Sequence, residues 1–82
     1  MIQAILSVYP LGQPDFRAVD AALEAIAATG IAFETRAMHT ELSGSPGEVF
    51  AALRAAYDAA AALGGVILST TISNSCPLPG RS

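Results

Sequence analysis

Ser7 and Tyr9 stand two positions apart in an alternating apolar stretch, which places a hydroxyl and an aromatic ring on one face of a strand. Such a pair can meet one small ligand, with the ring stacking on a flat heterocycle or facing a cation. A strand-end tyrosine packed at an oligomer interface is the plainer reading. Met38 is a flexible apolar residue of the kind that lines adaptable pockets, and Thr40 adds a hydroxyl at the start of a strand. Core filling by a methionine and a β-favouring threonine accounts for both as well. Glu34 and Glu41 can offer a ligand charge-assisted contacts, or they can be solvated or paired with Arg36. Ser73 and Asn74 supply a hydroxyl and an amide that both donates and accepts, although Asn-Ser before Cys-Pro is also ordinary turn chemistry.

His39 and Cys76 invite a nucleophile-base reading, because a thiolate beside an imidazole is a recurrent catalytic arrangement. One such pair is thin support. No nucleophile elbow, phosphate-cradling glycine loop or metal cluster accompanies it, and Gly12, Gly44 and Gly64-Gly65 are explained by turns and caps. The expectation is a chain with no catalytic residues, no metal site and no cofactor.

These residues need a scaffold, and the periodicities supply one. Ile2 to Tyr9 alternates as a strand, with Ile2, Ala4, Leu6 and Val8 on one side and Gln3, Ile5, Ser7 and Tyr9 on the other. From Asp15, the residues Phe16, Val19, Leu23 and Ile26 recur at helical intervals, and Gly30 caps the helix. Ile31 to Arg36 and His39 to Ser43 read as a strand hairpin. Ser45-Pro46-Gly47-Glu48 forms a capping box that must open a second helix at Pro46, with Val49, Phe50, Leu53, Tyr57 and Ala60 as its stripe. Val66 to Ser73 alternates as a fourth strand, after which Cys76-Pro77-Leu78-Pro79-Gly80 cannot continue a ladder.

The order β-α-β-β-α-β predicts an α+β ferredoxin-like sandwich, a four-stranded antiparallel sheet with both helices on one face. The other face is left bare. It carries Ile5, Ser7 and Tyr9, Glu34 and Arg36, His39 and Glu41, and Ser69, Thr71 and Ser73, and the ligand site is expected there.

Eighty-two residues, 52% of them hydrophobic and 13% charged, fit a single domain spanning residues 1–82. The net charge of −3 and four scattered arginines argue against nucleic acid and favour a cationic small molecule. No apolar stretch reaches the roughly 20 residues that cross a bilayer, so no membrane partner is expected. The single cysteine and the absence of a basic leader point to the cytoplasm. So small a core also makes self-association a natural remedy.

Ser7-Val8-Tyr9-Pro10-Leu11-Gly12, Thr29-Gly30-Ile31-Ala32-Phe33-Glu34, Met38-His39-Thr40-Glu41-Leu42-Ser43-Gly44 and Glu48-Val49-Phe50 occur in this order. Together they resemble the YkoF-like thiamine/hydroxymethylpyrimidine-binding proteins and their small DUF77 relatives. The ending Ser73-Asn74-Ser75-Cys76-Pro77 resembles the YkoF branch, with its S-N-x-C-P after the last strand. The resemblance implies a ferredoxin-like fold, assembly into homodimers or homotetramers, and binding of thiamine or its hydroxymethylpyrimidine moiety without turnover. Thr40 falls on the family's M-x-T motif and Asn74 on its ending, which implies ligand contact by both. His39 stands where the family more often has glycine, and YkoF carries two such modules where this chain has one. A structural or regulatory oligomerisation module is the competing expectation.

Overall fold

In a computed structural model, residues 1–75 are described. Their elements are β1 (Ile2–Pro10), α1 (Arg17–Thr29), β2 (Ala32–Thr35), β3 (Thr40–Gly44), α2 (Pro46–Ala61) and β4 (Val66–Ser73). The order is the one expected, with strand ends displaced by a residue or so. The strands form one antiparallel sheet in the order β2-β3-β1-β4. Pairing sets Leu6 against Thr40 and Ile2 against Gly44 on one side of β1, and Tyr9 against Ile67 and Gln3 against Ser73 on the other.

Alternation sends Ala4 and Leu6 of β1 and Leu42 of β3 into the core, where they meet Ala18, Ala22 and Ile26 of α1 and Val49, Ala52, Leu53, Ala56 and Ala60 of α2. The small alanines let the helices approach each other and the sheet closely. That changes which residues face inward. Phe50 and Tyr57, expected in the buried stripe of α2, are half exposed, and Ala52 and Ala56 take their place. The helix turns about 100° per residue, so a stripe centred on Val49, Leu53, Ala56 and Ala60 rotates positions 50 and 57 outward. Phe16 is likewise exposed rather than core, while Val19 and Leu23 are only half buried.

The helix ends follow local chemistry. Ser45 Oγ accepts from the Glu48 amide and Glu48 Oε1 accepts from the Ser45 amide, at 3.2 and 2.9 Å, which completes the capping box. Gly30 closes α1 at a φ of 81°, a left-handed conformation that disfavours any residue with a Cβ. No helix among the described residues is long and apolar enough to cross a membrane.

Candidate ligand-binding cavity

β2 and β3 are joined by Arg36–His39, a tight connection closed by the Arg36 amide donating to the His39 carbonyl at 2.7 Å. Beyond Leu6, β1 loses β3 as a neighbour, and this connection comes alongside instead. Ser7 Oγ donates to the Met38 carbonyl at 3.0 Å and ties the two together. The N-terminal half of α1 meets this end of the sheet with Val19 and Leu23, which leaves a cavity of about 240 Å³ between them.

Its walls are Leu6 and Val8 of β1, Val19, Ala22, Leu23 and Ile26 of α1, and Arg36 to His39 of the connection, with Phe16 and Tyr9 at the rim. Thr40 lines it as well. At 5% exposure Thr40 is the one buried polar residue among those described, and it lines a cavity whose walls are mainly apolar but include Ser7, Thr35, Arg36 and His39. A polar ligand atom reaching Thr40 would find a partner there, with those four residues as further polar lining. The volume lies below the roughly 300–1,000 Å³ typical of pockets for drug-sized molecules, which suits one aromatic ring with short substituents.

Of the residues singled out in the sequence, Ser7, Tyr9, Met38 and Thr40 share this cavity. The expectation that the ligand site lies on the bare face needs correction: Thr40 pairs with Leu6, whose side chain points to the helices, so Thr40 points there too. The cavity therefore lies under α1 at the end of the sheet, and the strand-face reading survives only for the rim. Phe16, Val19 and Leu23, which the sequence marks only as the apolar positions of a helix, line the cavity as well. Their helical spacing carries no signal that separates core from cavity wall.

The remaining candidates lie elsewhere. Glu34 and Glu41 are cross-strand partners on the bare face, around a separate shallow hollow with Gln3, Phe33 and Ser43. Both are already engaged: Arg36 reaches Glu34 at 2.9 Å and Glu41 at 3.5 Å, and His39 Nε2 lies 3.1 Å from Glu41. The His39 hydrogen bond, followed by the Arg36 charge, holds the Glu41 carboxyl below its ordinary value despite some loss of hydration. Ser73 borders a third hollow with Ile5 and Thr71. Asn74 lies beyond β4, where its side-chain oxygen accepts from Ser75 Oγ at 3.0 Å.

Thr40 and Asn74 do not frame one mouth, contrary to expectation. Thr40 is level with Leu6, whereas Ser73 is level with Gln3 and on the far side of β1, about 10 Å away along the strand at roughly 3.3 Å per residue. Cys76 and the rest of the ending lie outside the described residues, and so does the His39–Cys76 pairing. No cluster of three or more potential metal ligands occurs among the described residues.

Comparison with known proteins gives these observations a context. The model of the YKOF-related family matches residues 1–79. Among solved structures, a DUF77 protein from Bacillus cereus superposes with a TM-score of 0.79 at 28% identity, covering 88% of this chain and 73% of that one. A hypothetical protein from Methanocaldococcus jannascii gives a TM-score of 0.82 at 27% identity, over 92% and 80% of the two chains. A Thermotoga maritima protein provisionally assigned to thiamine biosynthesis or salvage gives 0.77 at 19% identity, over 90% and 83%. Among curated proteins none matches.

Proposed function

We propose that this chain, which belongs to the YKOF-related family, binds hydroxymethylpyrimidine or the pyrimidine end of thiamine in the cavity beneath α1 and does not transform it. The observation that carries this reading is the meeting of Ser7, Tyr9, Met38 and Thr40, chosen from the sequence, around one mainly apolar cavity with one buried hydroxyl. A substituted pyrimidine matches such a space: its faces are apolar and its amine and ring nitrogens seek hydrogen bonds. Tyr9, half exposed at the rim, is placed to stack on a ring or to face the thiazolium cation of an intact thiamine. The net charge of −3 adds a favourable field for that cation.

The fold shared with the Thermotoga maritima protein supports the same direction, because that protein's assignment is to thiamine biosynthesis or salvage. Binding without turnover fits carriage, salvage or sensing in the cytoplasm. Glu34, Glu41, Ser73 and Asn74 would then act outside the cavity, through charge or through a neighbouring subunit. Calorimetric titration with hydroxymethylpyrimidine and with thiamine tests the reading, with saturable one-to-one binding of at least one expected and no heat from either overturning it.

A second reading, an oligomerisation module without such a ligand, draws on Ile5 and Ile67, which are 44% and 51% exposed on the bare sheet face. It predicts assembly into dimers or tetramers with no response to either compound.

A further inference from the structure

Among the described residues, every arginine beside the cavity is committed to a carboxylate. Arg36 and His39 belong to the connection that walls the cavity, where a guanidinium and an imidazole could hold an anion. Their polar ends turn the other way. Strand alternation puts Arg36 on the bare face with Glu34 and Glu41, and its Nη2 lies 2.9 Å from Glu34 Oε2 and 3.5 Å from Glu41 Oε1. His39 Nε2 lies 3.1 Å from the other oxygen of Glu41. One guanidinium thus faces two carboxylates.

The α1 side of the mouth is arranged in the same way. Phe16 at the rim precedes the first turn of α1, whose leading amides and Arg17 are the positive groups there. Asp15 takes both kinds: its Oδ1 accepts from the Arg17 amide at 3.1 Å, and its Oδ2 lies 3.1 Å from Arg17 Nε. Asp20 adds a further negative charge in the first turn. Arg54, the remaining arginine among the described residues, is exposed on α2 beside Asp58 and does not line the cavity.

We infer that the cavity discriminates by phosphorylation state: it takes a pyrimidine whose hydroxymethyl group is free and rejects the phosphate ester, with Glu34, Glu41 and Asp15 setting the preference. This selectivity rests on the pyrimidine reading above and specifies which chemical form is held. A phosphate monoester carries a charge of about −1.5 to −2 at pH 7 and three acceptor oxygens that need donors. Inside the cavity those oxygens would lie against Leu6, Val8, Val19 and Leu23, and the hydroxyls of Ser7 and Thr40 cannot replace the hydration of a dianion. At the mouth they would meet Asp15 on one side and the Glu34–Arg36–Glu41 group on the other, where like charges repel. A free hydroxymethyl group faces neither penalty. The same carboxylates attract the thiazolium of an intact thiamine.

Calorimetric titration with hydroxymethylpyrimidine and with its phosphate monoester gives a ratio of two dissociation constants for each protein. A general loosening of the fold weakens both ligands and leaves that ratio in place. In the parent we expect the ester to bind weaker by roughly tenfold or more. Glu34→Gln/Glu41→Gln leaves Arg36 uncompensated at the wall, and Asp15→Asn removes the charge that offsets Arg17. Each should narrow the ratio by about threefold or more, through tighter binding of the ester. The two variants alter different sides of the mouth, so misfolding of one leaves the other to decide. Equal affinities in the parent overturn the selectivity, and a ratio unchanged in both variants overturns its assignment to these carboxylates, while the pyrimidine reading stands in either case. No heat from the unphosphorylated compound in the parent overturns that reading itself, and the selectivity with it.

Discussion

At the scale of single residues, the cavity turns on Thr40, whose hydroxyl is sequestered with apolar neighbours. Thr40→Val keeps the volume and removes the hydrogen-bonding group, so a ligand amine or ring nitrogen buried against it loses its partner at a cost of about 1–3 kcal/mol. Affinity for hydroxymethylpyrimidine should fall roughly five- to a hundredfold in a calorimetric titration, with the fold retained; unchanged affinity would move the ligand out of this cavity. Ser7 acts differently. Its hydrogen bond to the Met38 carbonyl holds the Arg36–His39 connection against β1, and Ser7→Ala should loosen that wall for about 1 kcal/mol or less at so exposed a position. The sequence revealed Thr40 through its motif and Ser7 through strand alternation. It could not reveal Val19 and Leu23, because a helix that seals a core and a helix that roofs a cavity show the same periodicity.

At the scale of elements, α2 depends on its first turn. Ser45→Ala removes the hydroxyl that accepts from the Glu48 amide and should destabilise the fold by about 0.5–2 kcal/mol in a denaturant titration. Ligand affinity of the folded fraction should be unaffected, since the cavity lies under α1. The same box gives a pH signature. Hydrogen bonds from the Ser45 backbone and then its side chain hold the Glu48 carboxyl below its ordinary value of 4.5. A lowered folded value means that this stabilisation is complete above the ordinary value and is lost as pH falls through the folded one. Stability should therefore decline below about pH 4.5, more steeply in the parent than in Glu48→Gln; equal slopes would remove the capping carboxylate as the cause. The box was legible because four consecutive residues encode it. The buried face of α2 was not, since alanine is compatible with core and surface alike, and the conspicuous Phe50 and Tyr57 drew the stripe toward themselves. The strand order followed from the two crossovers, whereas the exact level of Thr40 against Ser73 depends on pairing register, which short alternating strands do not specify alone.

At the scale of the whole molecule, the core is built largely from alanine, with Ile26, Leu42 and Val49 as its largest fully buried side chains. Each alanine removes little apolar surface from water, while ordering the backbone costs about the same at every residue. A chain so constituted gains stability from whatever binds only its folded form. Ligand at 100 times its dissociation constant adds about 2.7 kcal/mol, which corresponds to an upward shift of the melting temperature on the order of 10 °C in a domain of this size. Self-association acts through the same mass-action law but responds to a different variable. If folded copies pair, dilution favours the unfolded chain, so the melting temperature should climb with protein concentration in the absence of ligand and level off only where the dimer is saturated. A calorimetric series over a hundredfold range of concentration measures it. A melting temperature independent of concentration in the parent would mean that the monomer carries its own stability, and the alanine-rich core would then need no second copy.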